Sequence, residues 1–196
     1  MLRNYAPLPC VLLKAGSRFA EPVQRLPERV SLDSPALDVM TDLRLVSAVI
    51  IRPTDSVDEA HARMKQRGVR LLLVVDGERN VVGLVTATDI LGEKPMQVIQ
   101  SRGVRHSDLL TRDIMVPQAR LEVIEFEHVR NARVGEIVAT LMRSGRQHAA
   151  VVEHSAPGHV LRGLFSATQI ARQLGLAIQP TEIASTFAEI EASLAR

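Results

Sequence analysis

The chain has 196 residues, which is long enough to bury a hydrophobic core and to hold one domain or two small subdomains. Apolar residues make up 46% of the chain and charged residues 23%, a composition typical of soluble globular proteins. The formal net charge is only +2 and the aromatic content is 3%, without tryptophan. These values argue against a dedicated nucleic-acid binder, which needs basic patches and stacking platforms.

The cysteine count and the distribution of apolar residues indicate a cytoplasmic protein. The single cysteine, Cys10, cannot form a disulfide within the chain, so an oxidising compartment would bring no benefit. The first residues lack the charged stretch and continuous apolar run of a signal peptide. No apolar run reaches the length that spans a bilayer, and we expect no membrane association.

The chain begins with a proline-rich arm, residues 1–36, for which we expect an extended conformation with little regular structure. A first repeat, residues 37–92, opens with Asp38-Val39-Met40 and continues into a β-rich stretch, Val46–Ile51. A helix is predicted next, because Ser56 and Glu59 have the spacing of a capping box and Gly68 is a typical stop. Its apolar face consists of Val57, Ala60 and Met64.

Two apolar stretches after this helix predict a β-hairpin. Leu71–Val75 and Val81–Val85 flank the turn residues Asp76-Gly77. The repeat closes with the sequence Gly83-Leu84-Val85-Thr86-Ala87-Thr88-Asp89-Ile90. In the linker that follows, residues 93–111, we expect a short helix from Pro95 to about Arg102, since proline is favoured in a first turn.

The second repeat, residues 112–175, follows the same plan. It opens with Asp113-Ile114-Met115 and a β-rich stretch, Val123–Phe126. A helix is predicted next, with an apolar face at Val134, Ile137, Val138 and Leu141 and its end at Gly145. The strands Ala149–Val152 and Val160–Phe165 then flank a turn with Pro157-Gly158, and the repeat closes with Gly163-Leu164-Phe165-Ser166-Ala167-Thr168-Gln169-Ile170. Uniformly apolar strands predict sheets covered on both faces. Each repeat is too small to bury its own sheet, so the two repeats must pack together.

Residues 176–196 are predicted to contain an amphipathic helix. Four apolar residues recur at helical spacing after Pro180: Ile183, Phe187, Ile190 and Leu194. This stripe must be buried against the same chain or another one.

The element order, the Met-led openings and the Gly-hydrophobic-hydrophobic-Thr-x-x-Asp closure resemble the cystathionine beta-synthase (CBS) domain, and two in tandem resemble a CBS pair, or Bateman module. The resemblance implies an α/β fold of two β-α-β-β-α repeats packed as a pseudo-two-fold pair. It also implies a non-enzymatic regulatory module that pairs as a homodimer. The implied ligand is adenosine-containing (AMP, ADP, ATP or S-adenosylmethionine), and no cofactor is required.

The closure of the first repeat carries the candidate ligand site. The resemblance implies that Asp89 accepts hydrogen bonds from the ribose hydroxyls and that Thr86 meets phosphate. A carboxylate suits this task because it can accept from both hydroxyls at once. Ile50 and Ile51 are expected to contact the base, and Arg70 to add a phosphate contact.

A second interpretation of the same residues is structural. Thr-x-x-Asp at the start of a helix is also a capping pattern, in which both side chains satisfy backbone N–H groups. In the second repeat, Ser166 and Gln169 keep the capping pattern without the carboxylate, so we expect a weaker second site there. His148, at the strand position that aligns with Leu71, is a candidate for that site too.

The remaining candidate chemistry is weak. His154 and His159 flank a hairpin turn without a cysteine or acidic cluster, and we expect no metal there. Arg102, Arg105 and His106 are expected to form a solvated basic face. No nucleophile–base or phosphate-loop motif appears, which argues against an enzyme. Met40 and Met115 are interpreted as packing residues.

Two functions remain open at this stage. One is a nucleotide-responsive module that signals to an effector protein, which the sequence does not name. The alternative is a structural dimerisation module with no bound ligand, which the missing carboxylate at Gln169 favours.

Overall fold

The computed structural model describes residues 24–156 and 158–176, together with 9, 11, 12, 14 and 15. The helices and strands are β1 (Thr41–Asp42), β2 (Ile50–Ile51), α1 (Val57–Arg67), β3 (Leu71–Val75), β4 (Val81–Thr86), α2 (Ala87–Leu91), α3 (Lys94–Arg102), α4 (Thr111–Ile114), β5 (Val116–Pro117), β6 (Val123–Glu125), α5 (Phe126–Val129), α6 (Val134–Ser144), β7 (His148–Ser155), β8 (Gly158–Ser166) and α7 (Ala167–Gln173). None of these helices is long and apolar enough to cross a membrane.

The strands form two four-stranded sheets, and each sheet contains a strand from both repeats. The orders are β2-β3-β4-β5 and β1-β8-β7-β6. The opening strand of the first repeat, β1, pairs with β8 of the second, with Thr41 opposite Leu164. In return, β5 of the second repeat pairs with β4 of the first, with Val116 opposite Leu84. The two repeats therefore exchange their opening strands.

The long helices begin and end where their sequences predict. In α1, the Ser56 Oγ accepts from the backbone N–H of Glu59 at 3.1 Å, and the Glu59 carboxylate accepts from the N–H of Ser56 at 2.8 Å. Gly68 and Gly145 end α1 and α6 with left-handed φ values of 62° each. The predicted linker helix is also confirmed as α3.

Three predicted strands differ from the structure by more than one residue in length. Val46–Ile51 was expected to be β-rich, but only Ile50–Ile51 pairs, because the N–H groups of Leu45 and Val46 turn back to the carbonyl of Asp42. In the second repeat, β7 and β8 are longer than expected. Cross-strand pairing continues to Ser155 and Gly158, so most of the predicted loop is strand.

Two glycines allow the exchanged strands to approach closely. A Cβ on Gly163 would lie 2.8 Å from the Met40 Sδ and 2.8 Å from the Thr41 carbonyl oxygen. A Cβ on Gly83 would lie 2.9 Å from the Met115 Sδ and 2.7 Å from a backbone oxygen of β5. Met40 is buried in the core, as the interpretation as a packing residue requires.

Three apolar clusters hold the layers together. One lies under each sheet, and the third lies between the two sheets. All five residues of β3 are buried, as expected for a strand covered on both faces. The third cluster joins Leu71, Leu73 and Leu84 of the first repeat to Leu121 and Leu164 of the second.

A buried ion pair adds to the contact between β1 and β8. Asp42 and Arg162 are each only 9% exposed, and Arg162 Nη1 donates to Asp42 Oδ1. The Arg162 guanidinium also lies 4.7 Å from the centroid of the Phe126 ring. This pairing orients the first repeat's opening strand on the second repeat's sheet.

Within the arm, residues 24–35 form no helix or regular strand, and Ala36 begins a short 3₁₀ helix, Ala36–Val39. Residues 24–35 are docked on the second repeat and on β1. Gln173 Nε2 donates to the carbonyls of Pro27 and Asp38, at 2.7 and 3.0 Å. Gln24 accepts from the N–H of Asp42 at 2.8 Å. The predicted C-terminal helix lies outside the described residues.

Gly163→Ala tests the close approach of β1. We expect a loss of about 1–3 kcal/mol in the free energy of unfolding, because the added methyl group meets backbone as well as a side chain. Gly77→Ala is the matched control, since nothing lies within 4 Å of a Cβ there. Urea denaturation of both variants measures the difference. Equal stability of the two variants would contradict the proposed packing.

Candidate functional site

A cavity of about 350 Å³ lies between the two repeats. The first repeat contributes residues from β3, β4 and α2, and the second contributes β5, the segment after it and the beginning of β7. The lining residues are Leu71, Leu84, Thr86, Thr88, Asp89, Val116, Arg120, Leu121, Glu122, Arg146, Gln147, His148 and Ala150. The cavity therefore exists only because the two repeats face each other.

Asp89 and Thr86, the two central residues of the predicted site, lie together in this cavity and form a capping box. Asp89 Oδ2 accepts from the Thr86 N–H at 2.9 Å and from the Thr86 hydroxyl at 2.6 Å. The Thr86 hydroxyl oxygen accepts in turn from the Asp89 N–H at 3.2 Å. The structural interpretation of this motif is thus realised, and the hydroxyl proton of Thr86 is committed to Asp89.

Asp89 also holds a lysine that the sequence analysis did not consider. Lys94, the first residue of α3, donates to Asp89 Oδ1, and its Nζ lies 3.3 Å from the carbonyl oxygen of Ile114. Because Asp89 is only 8% exposed, the hydrogen bonds from Thr86 and Lys94 replace those that water would make to its carboxylate.

The second repeat places two arginines on the cavity. Arg146 pairs with Glu122 at 3.3 Å. Among the described residues, Arg120 has no ion pair, so its guanidinium is available to an anion. Thr88 donates to Gln147 at 3.2 Å, which connects the two repeats across the cavity.

His148 is a neutral group on the cavity wall. Burial, together with the nearby charge of Arg70, lowers the pKa of His148 to about 4, although the charge of Asp89 opposes the shift. The side chain is therefore uncharged at neutral pH, and one of its ring nitrogens is a hydrogen-bond acceptor.

The structure separates the other predicted contacts from this cavity. Ile50 and Ile51 line a different cavity of about 480 Å³, together with charged residues that include Arg52 and Asp55. Arg70 is exposed and does not line the cavity between the repeats, although its charge reaches His148. In the sheet order β2-β3-β4-β5, the strand next to β4 on its open side is β5 of the second repeat, not β2. The residues that face Asp89 across the cavity therefore come from the second repeat.

The corresponding positions of the second repeat are built differently. Ser166 makes no side-chain capping hydrogen bond, so the capping pattern expected for Ser166 and Gln169 does not form. Gln169 Nε2 instead donates to Gln173 at 3.4 Å, and Gln173 anchors the arm. Gln169 therefore contacts the residue of α7 that binds the arm.

The other predicted clusters show no site in the described part of the chain. His154 and His159 pack edge-to-face with their ring centroids 4.6 Å apart, and no group of metal-binding residues is found among the residues described. Arg102 pairs with Asp113, and Arg105 with Asp108. These pairs fit the expected solvated face.

Comparison with known proteins defines the fold. Residues 36–95 match the family model of the CBS domain. An uncharacterized conserved protein from Pyrococcus horikoshii has a similar structure, with a TM-score of 0.53, 20% identity and coverage of 78% of this chain and 100% of its own. The chain has the fold of a CBS-domain pair.

Two further structures with this fold carry adenosine compounds. CBSX2 from Arabidopsis thaliana, in complex with AMP, has a TM-score of 0.50, 22% identity and coverage of 71% of this chain and 94% of its own. The CBS domain pair of MJ0100, in complex with 5′-methylthioadenosine and S-adenosyl-L-methionine, has a TM-score of 0.51, 15% identity and coverage of 72% and 96%.

A curated relative is much longer than this chain. Uncharacterized protein MJ1404 of Methanocaldococcus jannaschii is 24% identical over 148 residues, which is 69% of this chain and 30% of the relative. The chain thus spans less than a third of the length of that protein.

Apart from Lys94, most of the cavity residues that the sequence analysis missed come from the second repeat. They are Arg120, Leu121, Glu122, Arg146 and Gln147, joined by Thr88 from the first repeat. The matching openings at Met40 and Met115 were the available signal. Had the exchange been inferred from them, the segment after Met115 would have been placed beside Asp89.

His148→Leu tests the neutral histidine, since leucine occupies the aligned position 71. In the unfolded chain His148 binds a proton below about pH 6.5, whereas the folded chain binds it only near pH 4. The parent should therefore lose about 2–3 kcal/mol of stability from this group as the pH falls from 7 to 4.5. The variant should lose that much less over the same range.

Urea denaturation at pH 7 and pH 4.5 measures this difference. Because the other titrating groups are common to both proteins, subtracting the two pH dependences isolates His148. Identical losses in parent and variant would show that His148 is not held neutral.

Proposed function

We propose that this CBS pair is a non-enzymatic regulatory module that binds an adenosine-containing ligand in the cavity between its repeats. The observation that carries the proposal is Asp89, a buried carboxylate on the wall of a cavity that both repeats line.

The chemistry of the cavity suits the three parts of such a ligand. Asp89 supplies an acceptor for the ribose hydroxyls, and Arg120 supplies a cation for phosphate. Five apolar residues offer surface to an adenine ring: Leu71, Leu84, Val116, Leu121 and Ala150. The AMP and S-adenosylmethionine complexes of the two neighbours support this ligand class. AMP, ADP, ATP and S-adenosylmethionine are all candidates.

Regulation would follow from the position of the ligand. A molecule that contacts Asp89 on one side and Arg120 on the other favours the arrangement of repeats in which both contacts are made. In this proposal, the module is cytoplasmic, pairs as a homodimer and signals to an effector protein. Leu91 and Met96, which are 66% and 55% exposed on α2 and α3, offer apolar surface for such contacts.

We propose the following division of the chain. The CBS repeats are residues 37–92 and 112–175, joined by the linker 93–111. The arm, 1–36, and the C-terminal segment, 176–196, flank them.

A structural dimerisation module without ligand is the second candidate. The observation that favours it is that Thr86 and Lys94 already complete the hydrogen bonding of Asp89. In that case, Asp89 serves only to cap α2 and to hold α3.

Asp89→Asn separates the two candidates. It keeps the size of the side chain but removes the charge that would hold the ribose, so AMP affinity should fall about tenfold to a hundredfold. Isothermal titration calorimetry with AMP measures the affinity. Gln169→Asn, at the matched position of the second repeat, should leave it nearly unchanged. If Asp89→Asn binds AMP with the affinity of the parent, the result favours the structural dimerisation module.

A further inference from the structure

The two oxygens of the Asp89 carboxylate have different partners. Oδ2 accepts from both the N–H and the hydroxyl of Thr86, which are fixed by the backbone of the capping box. Oδ1 accepts from Lys94 Nζ. A pair of ribose hydroxyls needs acceptor positions on this carboxylate, and Oδ1 is the oxygen whose partner can leave.

Lys94 is placed to leave. Its side chain is 44% exposed, whereas that of Asp89 is 11% exposed, so the ammonium group can exchange the carboxylate for water. Its departure would also remove the contact with the Ile114 carbonyl. Ile114 ends α4, and the exchanged strand β5 begins two residues later with Val116, which lines the cavity.

We infer that Lys94 is an intramolecular competitor for the ribose site and a latch between that site and the exchanged strand. Without ligand, Lys94 joins Asp89 to Ile114. With ligand, the ribose hydroxyls take Oδ1, and Lys94 releases both the carboxylate and the carbonyl. The occupancy of the cavity is thereby coupled to the position of the linker and of β5. This inference rests on the proposed function, since it requires a ribose at Asp89.

The second repeat has no such latch. Its matched residue, Gln169, is uncharged and donates to Gln173, so a lysine would find no carboxylate there. Competition of this kind therefore belongs to the first repeat's site alone among the described residues.

Lys94→Gln tests the latch by the sign of its effect. A lysine that merely attracts phosphate, or supports the fold, would lower AMP affinity when it is removed. A competitor raises affinity when it is removed, and we expect AMP to bind about threefold to tenfold more tightly. Lys65→Gln, which removes the same charge from the exposed side of α1, is the control and should bind AMP as the parent does.

Two further experiments test whether the gain in AMP affinity comes from the ribose hydroxyls. Titration with 2′,3′-dideoxy-AMP should show no gain in Lys94→Gln, because this probe has no hydroxyls to place on Oδ1. In an Asp89→Asn background, Lys94→Gln should likewise have no effect on AMP affinity, since the contested charge is gone.

Amide hydrogen exchange of the Lys94→Gln protein, which reports local opening, should be faster around Met115 and Val116 without ligand.

The outcomes separate the latch from the proposed function. AMP binding by the parent, with equal or weaker binding by Lys94→Gln, overturns the latch and leaves the proposed function standing. Failure of AMP, ADP, ATP and S-adenosylmethionine to bind either protein overturns both.

Discussion

The close approach of each opening strand to a glycine of the other repeat is the contact on which the rest of the structure depends. Met40 lies against Gly163, and Met115 against Gly83, at distances that leave no room for a side chain on the glycine. Because β5 is held on β4 in this way, the residues after β5 are brought to the closing turn of the first repeat. Arg120 and Asp89 therefore line the same cavity although they are distant in sequence.

The two repeats share an architecture but differ in how their closing turns are used. In the first, Asp89 caps α2, binds Lys94 and faces the cavity. In the second, Gln169 is linked through Gln173 to the arm, and the strand exchange is reinforced by the buried pair of Asp42 and Arg162. One half of the pair is thus arranged around a carboxylate that a ligand can approach, while the other half anchors the N-terminal arm.

Local features of this fold were predictable because they depend on residues close in sequence. The capping box at Ser56 and the stop at Gly68 are determined within a single helix. The uniformly apolar sequence of β3 predicts that the strand is buried. The position of Ile50 outside the cavity that Asp89 lines was not predictable in the same way. The neighbours of Asp89 are set by which repeat's opening strand joins which sheet. That pairing is long-range, and the matching openings at Met40 and Met115 indicate it only when the two repeats are compared with each other.

An amide NMR titration with AMP shows whether the ligand binds between the repeats at Asp89. We expect the first cross-peaks to shift to belong to both repeats, near Thr86 and Asp89 on one side and near Arg120 and His148 on the other. Shifts confined to one repeat, or centred on the separate cavity at Ile50 and Ile51, would contradict it.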